Sequence, residues 1–137
     1  DLRPPILDFL GVGEAIIWQG KEFQKRAKIN FDSSIKLKSN EIDKNRATTI
    51  FRIFQETLTN ISRHSKAKKT YVSLSRKKND IILKVEDDGI GITKKQVANP
   101  KSLGILGMKE RALVWSGNIK FYSQPNQGTK VVIKIPL

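Results

Sequence analysis

The chain has 137 residues, with 26 Lys and Arg against 13 Asp and Glu, a net charge of +13 and no cysteine. That length suits one domain with its own core, and the lack of cysteine excludes disulfides, zinc–thiolate centres and thiol catalysis. His64 is the single histidine, which excludes histidine-rich metal sites, and no apolar run is long enough to span a bilayer.

The opening Asp1-Leu2-Arg3-Pro4-Pro5 reads as a connector, because proline disfavours helix in the residue before it. Residues 1–10 are therefore expected to join a domain at 11–137 to a longer protein upstream. Residues 11–28 read as a helix, with Val12, Ile16, Trp18 and Phe23 among charged residues. Residues 29–37 alternate like a strand. Residues 46–64 form the clearest helix. Ile50, Phe54, Leu58 and Ile61 share one face, and Arg52, Glu56, Asn60 and Arg63 share the opposite one. Two strands follow around Thr70–Ser75 and Ile81–Glu86, joined by a turn at Lys77-Lys78-Asn79-Asp80. Parity puts Asp87 on the inward side with Ile81, Leu83 and Val85, an unusual place for a carboxylate without a partner. Residues 88–103 read as a loop, about 106–116 as a helix, and 119–122 and 131–135 as strands around the turn Pro125-Asn126-Gln127-Gly128. This order predicts an α+β sandwich: a mixed, mostly antiparallel sheet packed against about three helices.

Four stretches combine residue types that carry chemistry. In Asp87-Asp88-Gly89-Ile90-Gly91 an inward carboxylate can accept from an exocyclic amine, and the glycines let a flat ring approach the backbone. Alone, that stretch is equally a β-turn. Gly104-Ile105-Leu106-Gly107-Met108 opens a helix whose N-terminal amides favour phosphate, or is simply a flexible loop before a helix. It is not a P-loop, since no Gly-Lys-Ser/Thr follows. The stripe Glu56, Asn60 and Arg63, with His64 beside it, offers a neutral oxygen for Mg²⁺, a carboxylate to polarise a nucleophile and a cation for phosphate. It is also what a solvated helix face looks like. Gly128-Thr129 enters the last strand and reads equally as a hairpin turn.

In this order the four stretches resemble the ATP-binding catalytic domain of sensor histidine kinases, the Bergerat fold shared with gyrase, heat-shock protein 90 and MutL. Phe51 to His64 is similar to the family's N box, Asp87 to Ile92 to its G1 box, Gly104 to Arg111 to its G2 box, and Gly128-Thr129 to its last conserved stretch. Gln55-Glu56, Gly-x-x-Gly-Met-x-x-Arg and the leader Leu2-Arg3-Pro4-Pro5-Ile6-Leu7 resemble kinases of the nitrate-sensor and lipid-fluidity-sensor type. Trp115-Ser116-Gly117 stands where the family more often has Gly-Gly.

The resemblance implies ATP and Mg²⁺ as ligands. Asp87 accepts the adenine amino group, with Gly89, Gly91 and Ile92 shaping the pocket. Asn60 coordinates Mg²⁺, and Arg63 and His64 lie near the phosphates. Gly104, Leu106, Gly107 and Met108 line the triphosphate side under a lid at about 92–103. Thr129 supports the adenine site through Asp87 or a water, and Glu56 is the candidate catalytic base, acting on the phosphoacceptor histidine. It further implies an upstream dimerisation helix that carries the phosphoacceptor histidine, a response regulator partner, a homodimeric and possibly membrane-anchored parent, and a cytoplasmic location. The domain alone is then expected to bind ATP without autophosphorylating.

Two other readings keep the same residues. One is an ATPase or an anti-sigma-type serine kinase module of the same fold. The other is a basic nucleic-acid-binding module, since residues 66–137 carry 15 basic and 5 acidic side chains. That reading predicts aromatics interleaved with Lys and Arg on an exposed face. Tyr71, Tyr122 and the phenylalanines fall mostly at apolar-patterned positions instead, so no nucleic acid partner is expected.

Overall fold

The computed structural model describes residues 2–99 and 101–137. Asp1, at the head of the expected connector, and Pro100, in the expected lid, lie outside the described residues.

Helix α1 (Pro5–Ala27) carries proline at its first position, where the missing N–H costs nothing. It is two helical segments. Gly11, at φ 77° and ψ 166°, breaks the path between them. The helix expected from residue 11 is thus the second segment, and residues 5–10 of the expected connector form a first one. Leu7, Val12, Ala15, Ile16 and Phe23 are its buried side chains.

Strand β1 (Asn30–Ile35) leads to helix α2 (Lys44–Asn60). Asp43 caps α2, accepting from the Arg46 amide at 3.0 Å. After Asn60 the helix widens into a π-type turn, Ile61–Ser65. The predicted apolar face is the buried one: Ile50 and Phe54 are wholly enclosed, Leu58 and Ile61 nearly so. Phe54 meets Phe31 edge-on and Phe51 at a tilt, each at 6.3 Å between centroids.

Strands β2 (Lys69–Lys77) and β3 (Asp80–Asp87) form the predicted hairpin, with Lys77 paired to Asp80. A short helix, α3 (Lys94–Ala98), lies inside what the sequence suggested was loop. Its signal is the capping box Thr93…Gln96. Helix α4 (Ile105–Leu113) and the hairpin β4 (Asn118–Ser123) and β5 (Thr129–Pro136) complete the chain.

The five strands lie in the order β1-β2-β3-β5-β4, with β1 parallel to β2 and every other pair antiparallel. The inward residues of β2, β3 and β5 are buried under the helices. Their alternates, among them Tyr71, Lys84 and Glu86, are exposed. The mixed α/β sandwich is therefore as expected, with four helices among the described residues rather than about three. Arg46 ties its far end together: it stacks on Trp115 at 4.3 Å and donates to the Pro136 carbonyl at 2.8 Å. Trp115 also donates its indole N–H to Thr49 at 2.9 Å. The Trp115-Ser116-Gly117 variation thus supplies a packing contact of its own.

Candidate functional site

Strand β3 stays inward-facing until its last residue, so the alternation that buries Leu83 and Val85 also carries Asp87 toward the helices. The chain then turns beneath the π turn of α2. Ile90 donates its amide to the Ser65 carbonyl at 2.7 Å. A Cβ on Gly89 would overlap that carbonyl, so this close approach requires glycine there.

The resulting cleft runs between α2 and the ends of β3 and β5. Thr57 and Asn60 of α2, with Ile61, His64 and Ser65 of the π turn, form one part of its lining. Asp87, Gly91, Ile92 and Thr129 form another. Leu103, Met108, Phe121 and Val131 supply apolar surface. A mostly apolar cleft with a carboxylate in its lining suits a planar heterocycle bearing an amine.

Burial pushes the Asp87 carboxyl above its ordinary value, and the neighbouring Asp88 charge adds to that, while the backbone amides of Gly89 and Thr129 act against it. Gly89 donates to Asp87 Oδ1 at 2.8 Å. Asp88 is held oppositely. The Lys69 and Lys68 amides, at 2.9 and 2.8 Å, keep its carboxyl below the ordinary value despite slight burial. The two adjacent carboxylates therefore have different work: Asp88 anchors the start of β2, and Asp87 faces the cleft.

The Asn60 amide nitrogen donates to the Leu103 carbonyl at 2.7 Å. Gly104, at φ 63°, packs so closely on Glu56 that a Cβ there would overlap the carboxylate. The segment before α4 thus lies against both polar groups of the α2 stripe. The free space left inside the cleft is about 30 Å³, room for roughly two waters.

Of the residues singled out from sequence, Asn60, His64, Asp87, Gly91, Ile92, Met108 and Thr129 line this one cleft. Gly89 shapes it from beneath, and Glu56 and Gly104 meet at its edge. Arg63 is exposed and outside the lining. Leu106 and Gly107 lie in the first turn of α4, also outside it. A Cβ on Gly107 would meet nothing within 4 Å, so no contact here demands glycine. Sequence reasoning missed Thr57, Ser65, Phe121 and Ser123. Thr57 is one turn before Asn60 on the same helix, which a helical wheel reveals. Ser123 accepts from the Ile92 amide at 2.7 Å and lies 3.2 Å from the Thr129 hydroxyl, a contact across β4 and β5 that no local pattern encodes.

Residues 45–137 match the family described as histidine kinase-, DNA gyrase B- and HSP90-like ATPases. This chain belongs to that family. It is 32% identical, over its full length, to the oxygen sensor histidine kinase NreB of Staphylococcus carnosus, covering 40% of that protein. It is 37% identical over 99% of its length to the sensor histidine kinase LiaS of Bacillus subtilis, covering 37% of that protein. The chain therefore spans about two-fifths of these relatives. Its fold is that of the histidine kinase domain of the Erythrobacter litoralis blue-light activated histidine kinase, at TM-score 0.80 and 20% identity over 92% of this chain and 61% of the other. The Acinetobacter baumannii histidine kinase AdeS superposes at TM-score 0.72 and 22% identity, over 93% and 64%. The fold is thus that of histidine kinase catalytic domains, and the family is that of the histidine kinase-, DNA gyrase B- and HSP90-like ATPases.

The residues present fit ATP and Mg²⁺. The half-buried carboxylate at the apolar slot suits adenine. Asn60 is bonded through its amide nitrogen, which keeps the neutral amide oxygen as a donor for a hard cation that takes its other ligands from water and phosphate. Among the described residues no cluster of three or more His, Cys, Asp or Glu is placed to hold a metal by itself. Mg²⁺ held mainly by a nucleotide needs none.

Proposed function

We propose that this domain binds Mg·ATP in the Asp87–Asn60 cleft and donates the γ-phosphoryl group to a histidine on a dimerisation helix elsewhere in the parent protein. The observation that carries the reading is a half-buried, inward carboxylate and an α2 asparagine lining one slot with apolar walls. Asp87 accepts the adenine amine, and Ile92, Met108, Phe121 and Val131 enclose the ring. Thr129 backs the carboxylate, with Gly89 and Gly91 shaping the floor. Asn60 holds Mg²⁺, which when bound neutralises phosphate charge. His64, Arg63 and the amides around Gly104, Leu106 and Gly107 serve the phosphate side. Glu56 takes the proton from the attacking imidazole as its nitrogen bonds to phosphorus and ADP leaves. Transfer of this kind depends on positioning and charge neutralisation more than on covalent chemistry.

In this reading nucleotide entry requires Leu103 and Gly104 to withdraw from Asn60 and Glu56. Residues 1–10 connect to the helix that carries the acceptor. The parent protein is a homodimeric sensor kinase that holds this domain in the cytoplasm and phosphorylates a response regulator. The domain alone binds nucleotide and does not autophosphorylate. Among the described residues no helix is long and apolar enough to cross a membrane.

The test is calorimetric titration with a non-hydrolysable ATP analogue, with and without Mg²⁺, beside Asp87→Asn. Magnesium-assisted binding that disappears in the folded mutant supports the reading. An absence of wild-type binding at millimolar analogue counts against it.

A further inference from the structure

Thr70, the second residue of β2, is buried to 3% exposure. Its hydroxyl has no hydrogen-bond partner among the described residues. A hydroxyl enclosed without a partner carries a desolvation penalty that folding ordinarily removes. Its place in the sheet indicates what it serves. Thr70 pairs with Phe31 on one side and with Asp87 on the other. Asp87 in turn pairs with Thr129, and Thr129 with Ser123. The row at this end of the sheet therefore runs Phe31, Thr70, Asp87, Thr129, Ser123. Of the two lateral neighbours of Thr70, only Asp87 has a side chain that accepts a hydrogen bond. Directly opposed residues in antiparallel strands have Cβ atoms about 5 Å apart, within reach of one rotamer change or one bridging water.

We infer that Thr70 is a positioning residue, its hydroxyl holding the Asp87 carboxylate in the orientation that accepts the nucleotide's exocyclic amine. The inference rests on the nucleotide reading of the cleft and adds a second hydroxyl to that site, on the side of Asp87 opposite Thr129. Thr70 does not line the cleft, so it acts through the carboxylate and not on the ligand. A hydroxyl that donates to the charged form favours ionisation, against the burial that opposes it at Asp87.

The experiment follows the Asp87 carboxyl by carbon-detected NMR across pH, in the unaltered chain and in Thr70→Val. It is paired with calorimetric titration of a non-hydrolysable ATP analogue. The charged neighbour that acts on Asp87 is Asp88 in the same turn, and His64 lines the same cleft, so the signal is assigned with Asp87→Asn. Thr70→Val is expected to raise the Asp87 pKa by about one unit and to weaken the analogue about five- to tenfold. Thr70→Ser, which keeps the hydroxyl, is expected to restore both. Thr70→Ala is the second variant should Thr70→Val misfold. An unchanged Asp87 pKa and affinity in Thr70→Val, with a raised Tm, would overturn the inference: the hydroxyl would then be a tolerated buried group. A shifted pKa in a domain whose unaltered form ignores the analogue would sink the nucleotide reading and leave the Thr70–Asp87 coupling supported.

Discussion

At Asp87 stability and function pull in opposite directions. Burial makes the carboxyl harder to ionise in the folded chain than in the unfolded one, so its contribution to stability is present at low pH and lost as pH rises through the folded value. Asp87→Asn removes that cost. The expected outcome is a higher Tm at neutral pH for the nucleotide-free domain together with loss of ATP-analogue affinity, read by calorimetry on one sample. Asp43 and Asp88 have the opposite sign. At Asp43 burial raises the pKa, but hydrogen bonds and charge from Arg46 outweigh it. At Asp88 the Lys69 and Lys68 amides dominate. Both contribute stability above the ordinary carboxylate range, and that contribution fades as pH falls through their lowered values. Asp43→Ala also removes the α2 cap, at about 1 kcal/mol. Thermal melts between neutral pH and about pH 3 are expected to show the mutant's deficit shrinking with acidity.

The elements around the cleft differ in how firmly they are held. Helix α2 is fastened by enclosed aromatics, whereas α3 has five residues and buries no side chain. Its capping box is its main local support. Thr93→Ala is expected to cost about 1 kcal/mol locally. Hydrogen exchange should quicken at residues 94–98 while β3 and β5 keep their protection, and equal loss across the sheet would show α3 to be tied to the core. The start of α4 is restrained through Leu103 and Gly104. Gly104→Ala strains a backbone at φ 63° and crowds Glu56. It is expected to loosen the Asn60–Leu103 contact, visible as an NMR shift of the Asn60 side-chain amide. The α3 helix was hidden because five residues give too little periodicity to separate helix from loop, although Thr93 and Gln96 carried the capping signal. The predicted start of α4 was right to one residue, since Gly104 marks it.

At the scale of the whole molecule, stability is concentrated where the helices meet the sheet. Phe54 touches two other rings and is fully enclosed. Phe54→Ala is expected to cost about 3–5 kcal/mol, read as a large global fall in Tm with one cooperative transition. Arg46 joins two distant parts of the chain to α2 by stacking on Trp115 and bonding the Pro136 carbonyl, and it pairs with Asp43 three residues before it. This is also where tertiary structure departs most from what sequence suggests. Arg46 reads as one more surface cation in a basic chain, yet it closes the end of the sandwich remote from Asp87 in the β3–β5 register.

The sequence by itself determined the sandwich, the apolar face of α2, the inward side of Asp87 and the family, because each is written in short periods or in short motifs of fixed order. Alternation placed Asp87 with Val85 and Leu83, and the helical wheel placed Asn60 opposite Ile50 and Phe54. Only the tertiary structure decided which of the candidates share a space. Arg63, Leu106 and Gly107 belong to the motifs but lie outside the cleft lining, while Phe121, Ser65 and Thr57 are part of it. The pairing of Thr70 with Asp87 and the contact of Leu103 with Asn60 arise from strand register and loop closure. Those depend on how distant segments pack, and local periodicity carries no record of that.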